Sequence, residues 1–405
     1  MTNGLKSAIL TIALTAVLAM APVAPEAGNT LFLIVGAIGL ALVWPEAMVQ
    51  VRRPIVWMPL AGLGLVAIAY GVSAGIEGLG GLAYFAPLLA VWPLVMLLLS
   101  SNRAQTSLLL SILALCGASG AAIMAIFEVQ ATGTMRAGTM VANPIHFADV
   151  SLLTGFIALL GMIAVTSRWK YLFLLAPVAA LVAVLLSGTR GALVAAVVML
   201  ALAAATGALL RLYPRRLVLT VSVGLGMTVS LVLLLNGIQI SGLQRIATDT
   251  AATLSSGAPT DNSTAIRLQM YLGGLRAFLE APIFGHGPLA FTAVADQLAD
   301  TPFGAAPHLH NDLLDMAASA GILGVGAYLL FLLAPVVEVI RAPESPRKAA
   351  IIVLVLTLVA GFFVMGLTNA MFGILTVTIT YSVICAIVAF VAAPDDKDRN
   401  AFFTS

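Results

Sequence analysis

Apolar residues along this chain fall in long unbroken runs, and polar residues collect in the gaps between them. A run of about 20 apolar residues is long enough to cross a bilayer as a helix. The spacing predicts about twelve spans, near 6–24, 30–48, 55–74, 80–100, 105–127, 147–167, 170–187, 191–210, 217–238, 313–340, 349–368 and 371–392. In lipid the backbone must satisfy its own hydrogen bonds, so a spanning segment is a helix or part of a closed barrel. Barrel strands alternate apolar and polar positions, and these runs do not. The expected fold is an all-α integral membrane protein.

Two gaps are long. Residues 128–146 hold Arg136, Asn143, Pro144 and His146, while 239–312 are rich in Ser, Thr, Gly, Asp and Asn. The chain divides accordingly: nine spans with short loops at 1–238, a large loop subdomain at 239–312, three spans at 313–392 and a tail at 393–405. Loops this long are usually functional or disordered. This one carries helical spacing from Thr264 to Leu279, with Ile266, Met270, Leu272, Leu275, Phe278 and Leu279 on the apolar positions. Asn262 or Ser263 suits the N-cap and Pro282 the stop. A shorter helix is expected over Leu289–Leu298.

Charge then orients the chain. Charged residues make up 9% of it, against roughly 25% in soluble domains, and the mean hydropathy is +1.09. Threading the spans puts Lys6, Arg52, Arg53, Arg103, Arg168, Lys170, Arg211, Arg215, Arg216, Arg341, Arg347, Lys348, Lys397 and Arg399 on one side. By the positive-inside rule that side is the cytoplasm, and Trp44, Trp57 and Trp169 fall near its boundary. Both termini are then cytoplasmic and both long loops lie outside. If Lys6, its apolar run and the small residues at Ala21–Ala24 form a cleaved signal peptide, eleven spans remain in the same orientation. Cys116 and Cys385, each inside an apolar run, read as small core residues.

The other basic residues, Arg136, Arg190, Arg245, Arg267 and Arg276, fall on the outer side with all 4 histidines. Topology gives no reason for cations there. An anion handled at the outer face does.

Three groups could carry that chemistry. Ser187-Gly188-Thr189-Arg190-Gly191-Ala192 sets an arginine beside glycines at a helix start, where anions are favoured; snorkelling to headgroups is the plainer alternative. On the loop helix, Arg276 follows Arg267 by nine residues and so sits about 180° around the axis. Arg267, flanked by apolar side chains, is the inward one, and Arg276 a surface or headgroup contact. Pro307-His308-Leu309-His310-Asn311-Asp312 enters the span near 313. An imidazole with an ordinary pKa near 6.5 can accept a proton at neutral pH, so His310 is a candidate base. A helix-capping histidine is the bland reading, and zinc ligation lacks a third ligand at a motif spacing. There is no P-loop, dinucleotide glycine fingerprint or Gly-x-Ser-x-Gly. No outer Asp-x-Asp and no run of intramembrane charges of the kind a proton-coupled transporter carries is present, and nothing points to nucleic acid.

Thr189-Arg190-Gly191-Ala192 before a span, Arg267 in a long outer loop ending Pro282-Ile283-Phe284-Gly285-His286-Gly287, and His310-Asn311 followed by Gly321-Ile322-Leu323-Gly324 together resemble the bacterial O-antigen ligase and polymerase superfamily. Size, span number and loop placement are most similar to the ligase branch. The sequence departs from the pattern at Ser319, where members often carry an acidic residue, and after Arg190, where Gly-Ala-Leu replaces an aromatic-containing turn. The resemblance implies a C-type membrane glycosyltransferase fold in the bacterial inner membrane. It also implies glycan transfer from undecaprenyl pyrophosphate to a sugar hydroxyl of the lipid A–core oligosaccharide at the periplasmic leaflet. On that footing Arg190 and Arg267 bind the pyrophosphate and His310 takes the acceptor proton, giving inverting transfer with neither metal nor cofactor. His308 joins the substrate-binding groups, and Arg136 and His146 face acceptor core phosphates. An O-antigen polymerase or a protein O-oligosaccharyltransferase fits the same residues. A lipid or polysaccharide transporter fits less well, because its polar groups would gather at mid-membrane.

Overall fold

The computed structural model describes residues 3–134, 136–210 and 262–394. The expected span at 217–238, Arg245, the first part of the large loop and the tail from 395 lie outside the described residues, as do Arg211, Arg215 and Arg216. Among the described residues every regular element is helical. Eight helices among the described residues are long and apolar enough to cross a membrane, and one of them, Pro54–Leu99, takes in two expected spans. This is an all-α integral membrane protein.

In chain order the α-helices are α1 (Asn3–Thr15), α2 (Pro25–Ala47), α3 (Pro54–Gly78), α4 (Val91–Leu99), α5 (Arg103–Thr132), α6 (Pro144–Ile157), α7 (Leu160–Ala164), α8 (Leu175–Ser187), α9 (Arg190–Leu209), α10 (Asn262–Glu280), α11 (Phe291–Leu298), α12 (Asp312–Arg341), α13 (Lys348–Gly366) and α14 (Leu375–Ala392). The span expected at 80–100 is a 3-10 stretch over Leu79–Ala90, with Pro87 inside it, that continues as α4. The span expected at 147–167 is interrupted between α6 and α7.

Helix α14 is the axis of the bundle and is buried along nearly its whole length. Its Tyr381 packs on Phe362 and Phe372 at ring-centroid distances of 4.3 and 5.1 Å and donates a hydrogen bond to the Phe331 carbonyl at 2.8 Å. Helix α5 turns a row of small residues inward (Ala114, Gly117, Ala118, Ala121), so close to the π-turn at Ala16–Met20 that a Cβ on Gly117 would lie 1.9 Å from the Leu18 oxygen. Small residues permit this approach where lipid supplies no hydrophobic drive between helices. Cys116, expected in the core, is instead exposed, because α5 points Gly117 and its alanine neighbours inward.

The two ends of the bundle differ. At one, Glu338 accepts from Arg53 and from the Ile55 amide, and Arg103 donates to the Val391 and Pro394 carbonyls at the end of α14. Cations at a helix C-terminus oppose its dipole favourably. At the other end α10 and α11 form a cap with a small core of Met270, Ala277, Phe291, Ala295 and Leu309, packed on Ala318 of α12.

That cap is seated by a break in α12. At Gly321 the backbone takes φ 62°, ψ −149°, which frees the Ala318 and Ser319 carbonyls and the Ile322 amide. The loop after α10 pairs with all three: the His286 and Gly287 amides donate to Ala318 and Ser319 at 2.9 and 2.8 Å, and Ile322 donates to Pro282 at 2.8 Å. Contact is backbone to backbone, since a Cβ on Gly285 would lie 2.4 Å from the Ser319 carbonyl carbon and one on Gly321 2.4 Å from the Ile283 carbonyl. Gly321→Ala is therefore expected to destabilise the purified protein by more than about 1 kcal/mol. Gly64→Ala, with nothing within 4 Å of its Cβ, should change stability by less than about 0.5 kcal/mol. Thermal unfolding in detergent compares the two, and equal midpoints would contradict this account of the kink.

Candidate functional site

At the capped end, α8 stops on Gly188 in the left-handed region (φ 63°), and α9 restarts two residues later. Ser187 and Thr189 bond to one another, and Thr189 reaches the Pro144 carbonyl at 3.2 Å, which fixes the turn against the start of α6. Arg190 is the first residue of α9. Gly191 lets the turn press on Thr368, whose Oγ1 would lie 2.0 Å from a Cβ there.

Arg136 comes from the loop after α5. Buried Glu128 organises that loop by accepting from the Gly138 and Met140 amides at 2.6 and 3.0 Å and from the Thr139 hydroxyl. Arg136 Nε then donates to the Ser187 carbonyl at 3.2 Å. Arg267 arrives from α10. Arg136, Arg190 and Arg267 line one cavity together with Asp149, Ser263 and Thr368. Arg190 and Arg267 also line a second, mostly apolar groove with Val194, Leu268, Val364 and Leu367. Val194 and Leu268 are exposed, so the groove opens at the bundle surface. One pair of guanidinium groups thus faces a polar cavity and an apolar groove at once.

Beside the polar cavity stands His310, a left-handed non-glycine residue with φ 56°. Its neighbours hold it there. The Tyr271 hydroxyl, one helical turn beyond Arg267, bridges the His310 and Leu367 carbonyls at 3.2 and 3.1 Å. Asn311 caps α12 through the Leu314 amide and donates to Leu367 at 3.2 Å, while Asp315 accepts from the Leu309 amide at 2.7 Å. The His308 and His310 rings meet edge to face, 4.3 Å between centroids. Asn369 completes the wall: its amide donates to Asp149 at 3.1 Å, and it adjoins His310. The Nδ1 atoms of both histidines and the Asn369 Oδ1 are buried without hydrogen-bond partners.

Burial pushes the His310 imidazole down to about 4, with the neighbouring His308, Arg267 and His146 adding to the effect and Asn369 opposing it. Burial, then Arg267, depresses His308 as well. Both rings are neutral at pH 7, able to accept a proton or donate a hydrogen bond. The Tyr271 hydroxyl is held protonated by its burial. Among the described residues no three His, Cys, Asp or Glu side chains converge to hold a metal ion.

A family model described as O-antigen ligase matches residues 173–329. Over that stretch the chain is similar to the O-antigen ligase/polymerase superfamily. No curated protein matches it. Members of this superfamily act in glycosyl transfer, with lipid-linked glycans and lipid-anchored acceptors as the general substrate classes. The matched stretch carries Arg190, Arg267, His308 and His310; Arg136, His146, Asp149 and Asn369 lie outside it and join the site through tertiary contact.

The sequence-derived candidates separate as follows. Arg136, Arg190 and Arg267 share a cavity, and His146 interacts electrostatically with His308 and His310. Arg136 thus stands in the same cavity as the other two arginines. Arg276 does not reach the site; it donates to the Leu298 carbonyl and to Asp300, both at 2.7 Å, tying α10 to α11. His286 bonds the Ala277 carbonyl at 2.9 Å and stabilises the end of α10. Residues not singled out from sequence are Tyr271, whose i,i+4 spacing from Arg267 placed it on the same helix face, and Asn369, in a polar Thr-Asn pair between two spans. Asp149, a carboxylate inside an apolar run, carried the signal of an intramembrane ionisable group.

Because Arg267 helps hold His310 neutral, Arg267→Gln is expected to raise the His310 pKa, since removing a nearby cation favours the imidazolium. Titration of ¹³C-labelled histidine by NMR checks the sign. An unchanged His310 resonance profile would mean that the two side chains do not share a site.

Proposed function

We propose that this chain is an O-antigen ligase, transferring a glycan from undecaprenyl pyrophosphate to a sugar hydroxyl of the lipid A–core oligosaccharide at the periplasmic leaflet of the inner membrane. The supporting observation is the pair Arg190 and Arg267, each lining both the polar cavity and the apolar groove. A polyprenyl diphosphate has that shape: a charged head at the membrane surface and a hydrocarbon tail in lipid. Three guanidinium groups in one lining suit a group with at least two negative charges.

As the acceptor oxygen attacks the anomeric carbon, the bond from that carbon to the phosphate oxygen breaks and its electron pair leaves with the pyrophosphate. Arginine remains charged and binds phosphate oxygens in a fork, so Arg190 and Arg267 stabilise charge where it grows. Arg136 adds to the same field. A ring nitrogen of His310 takes the hydroxyl proton, and attack from the face opposite the leaving group inverts the anomeric centre. A base with a pKa near 4 is a weak one, but the bound diphosphate offsets Arg267 and makes the imidazole more basic when the donor is in place. These residues stabilise the leaving group themselves, so the reaction is written without a divalent cation.

Transfer by the purified protein from lipid-linked glycan to lipid A–core, in detergent or liposomes, tests the reading. Arg190→Ala and Arg267→Ala should each cost about 100- to 1,000-fold in kcat, and His310→Ala about 100- to 10,000-fold. Chelator should leave the rate intact. For wild type, kcat/KM should be flat from pH 6 to 8, because the free imidazole is already neutral across that range; a rise centred near 6.5 would contradict it. A deletion strain separates ligase from polymerase: core without O-antigen and polymer stranded on carrier lipid supports the ligase, whereas core bearing a single repeat unit supports the polymerase.

A further inference from the structure

A second cavity lies across the histidine pair from the arginines. Its wall includes Tyr70, Tyr84, Phe291, His308, Asp312 and Ser319, and among the described residues it shares none of its lining with the cationic cavity. Asn369, between Thr368 of one cavity and Ala370 of the other, and the His308–His310 contact form the partition. A ligand here touches His308, whose ring centroid is 4.3 Å from that of His310.

The chemistry of this cavity differs from that of its neighbour. Among the described residues no Lys or Arg lines it, two carboxyl side chains (Asp312 and Asp315) do, and its histidine is neutral at pH 7, so an anion gains nothing by entering. Two broad aromatic faces are present: Tyr84, 59% exposed at the rim, and Phe291, buried in the wall. Polar groups of the wall retain bonding capacity. Asp312 uses Oδ1 for the Met371 and Phe372 amides at 2.7 and 3.1 Å, and its buried Oδ2 has no partner. His308 Nδ1 is likewise buried and unpartnered. Tyr70 and Ser319 share a single hydroxyl–hydroxyl contact of 3.2 Å, leaving further lone pairs and a proton for a ligand. Buried polar groups without partners are costly, and a mostly apolar pocket with a few convergent polar groups is the ordinary form of a small-ligand site. Flat aromatic faces for C–H surfaces, with acceptors and hydroxyls for O–H groups, match a sugar ring without charge.

We infer that this cavity is the subsite for the terminal acceptor sugar, and that it selects an uncharged pyranose over a phosphorylated or carboxylated one. The inference rests on the glycosyl-transfer reading above and adds the acceptor's chemical class. It places the acceptor sugar against His308 and the diphosphate against Arg267, both of which adjoin His310. Tyr84, Phe291 and Asp312 are then specificity-determining residues that bind acceptor and take no part in proton transfer.

The test uses the full chain in liposomes, with acceptor and donor titrated separately. Tyr84→Ala removes an exposed side chain, and Asp312→Asn keeps an acceptor oxygen for the Met371 and Phe372 amides. Each should raise acceptor KM at least tenfold with donor KM unchanged. For wild type, an acceptor whose terminal hexose is oxidised to the uronic acid should be used at least tenfold less well than its parent. Saturation-transfer NMR with methyl α-glucopyranoside reads the subsite without turnover; binding should be seen with wild type and lost in Tyr84→Ala. If transfer occurs but both variants keep wild-type acceptor KM, or donor KM moves instead, the subsite assignment is overturned. If no transfer to lipid A–core occurs yet the glucoside binds and Tyr84→Ala abolishes it, the ligase reading fails while the sugar subsite stands.

Discussion

Much of the site depends on one break in hydrogen bonding. Helix α12 enters the bundle beside His310, and nine residues in, at Gly321, its backbone turns out of helical geometry. An interrupted helix in lipid leaves amides and carbonyls that water cannot satisfy. Here the loop at 282–287 satisfies them, through three backbone bonds and two glycines that allow contact closer than any side chain permits. A cost inside the bundle thus becomes the seat of the cap. Helix α10 ends just before that loop, so the position of Arg267 and Tyr271 along α10 is set by the same contact. Tyr271 in turn grips the His310 carbonyl.

Electrostatics imposes a second constraint. Arg136, Arg190 and Arg267 repel one another where they share a cavity, and Asp149 lines the same cavity. Asn369 holds Asp149 from the far side. Burial depresses both histidines, with Arg267 adding to it, and keeps the imidazoles neutral. In the proposed reaction, donor binding and base activation are therefore coupled: the anion that fills the arginine cavity also offsets the part of the depression that Arg267 adds to burial.

How much of this could be read from sequence follows from what each feature requires. The spans were legible because a membrane helix is a local property of about 20 residues. Arg190 and Arg267 stood out because their charge falls on the wrong side of the positive-inside pattern, and the helical period set Arg267 apart from Arg276. Asn369 and Asp149 are 220 residues apart, and no local pattern pairs them. The break at Gly321 was equally hidden, since the chain has 36 glycines and the conformation of each depends on what packs against it. Cys116 shows the limit in the other direction. An apolar run says that a residue is in the membrane, not whether it faces protein or lipid. The apolar groove beside Arg190 and Arg267 joins α9, α10 and α13, and exists only once all three are placed.

His310 has one further property that composition never reveals. A non-glycine residue in the left-handed region costs on the order of 1–3 kcal/mol, and such residues persist only where their surroundings over-determine them. Here Tyr271, the Asn311 cap and the Asp315–Leu309 bond do so. Had the segment relaxed to ordinary helical or extended geometry, the alternation of side chains would have carried the ring away from Asn369 and from the partition between the two cavities. The strain therefore fixes where the imidazole stands rather than how tightly the chain folds. In the proposed reaction a base held in advance beside both substrates needs no rearrangement when they arrive, and orientation of this kind is one of the larger sources of rate available to an enzyme.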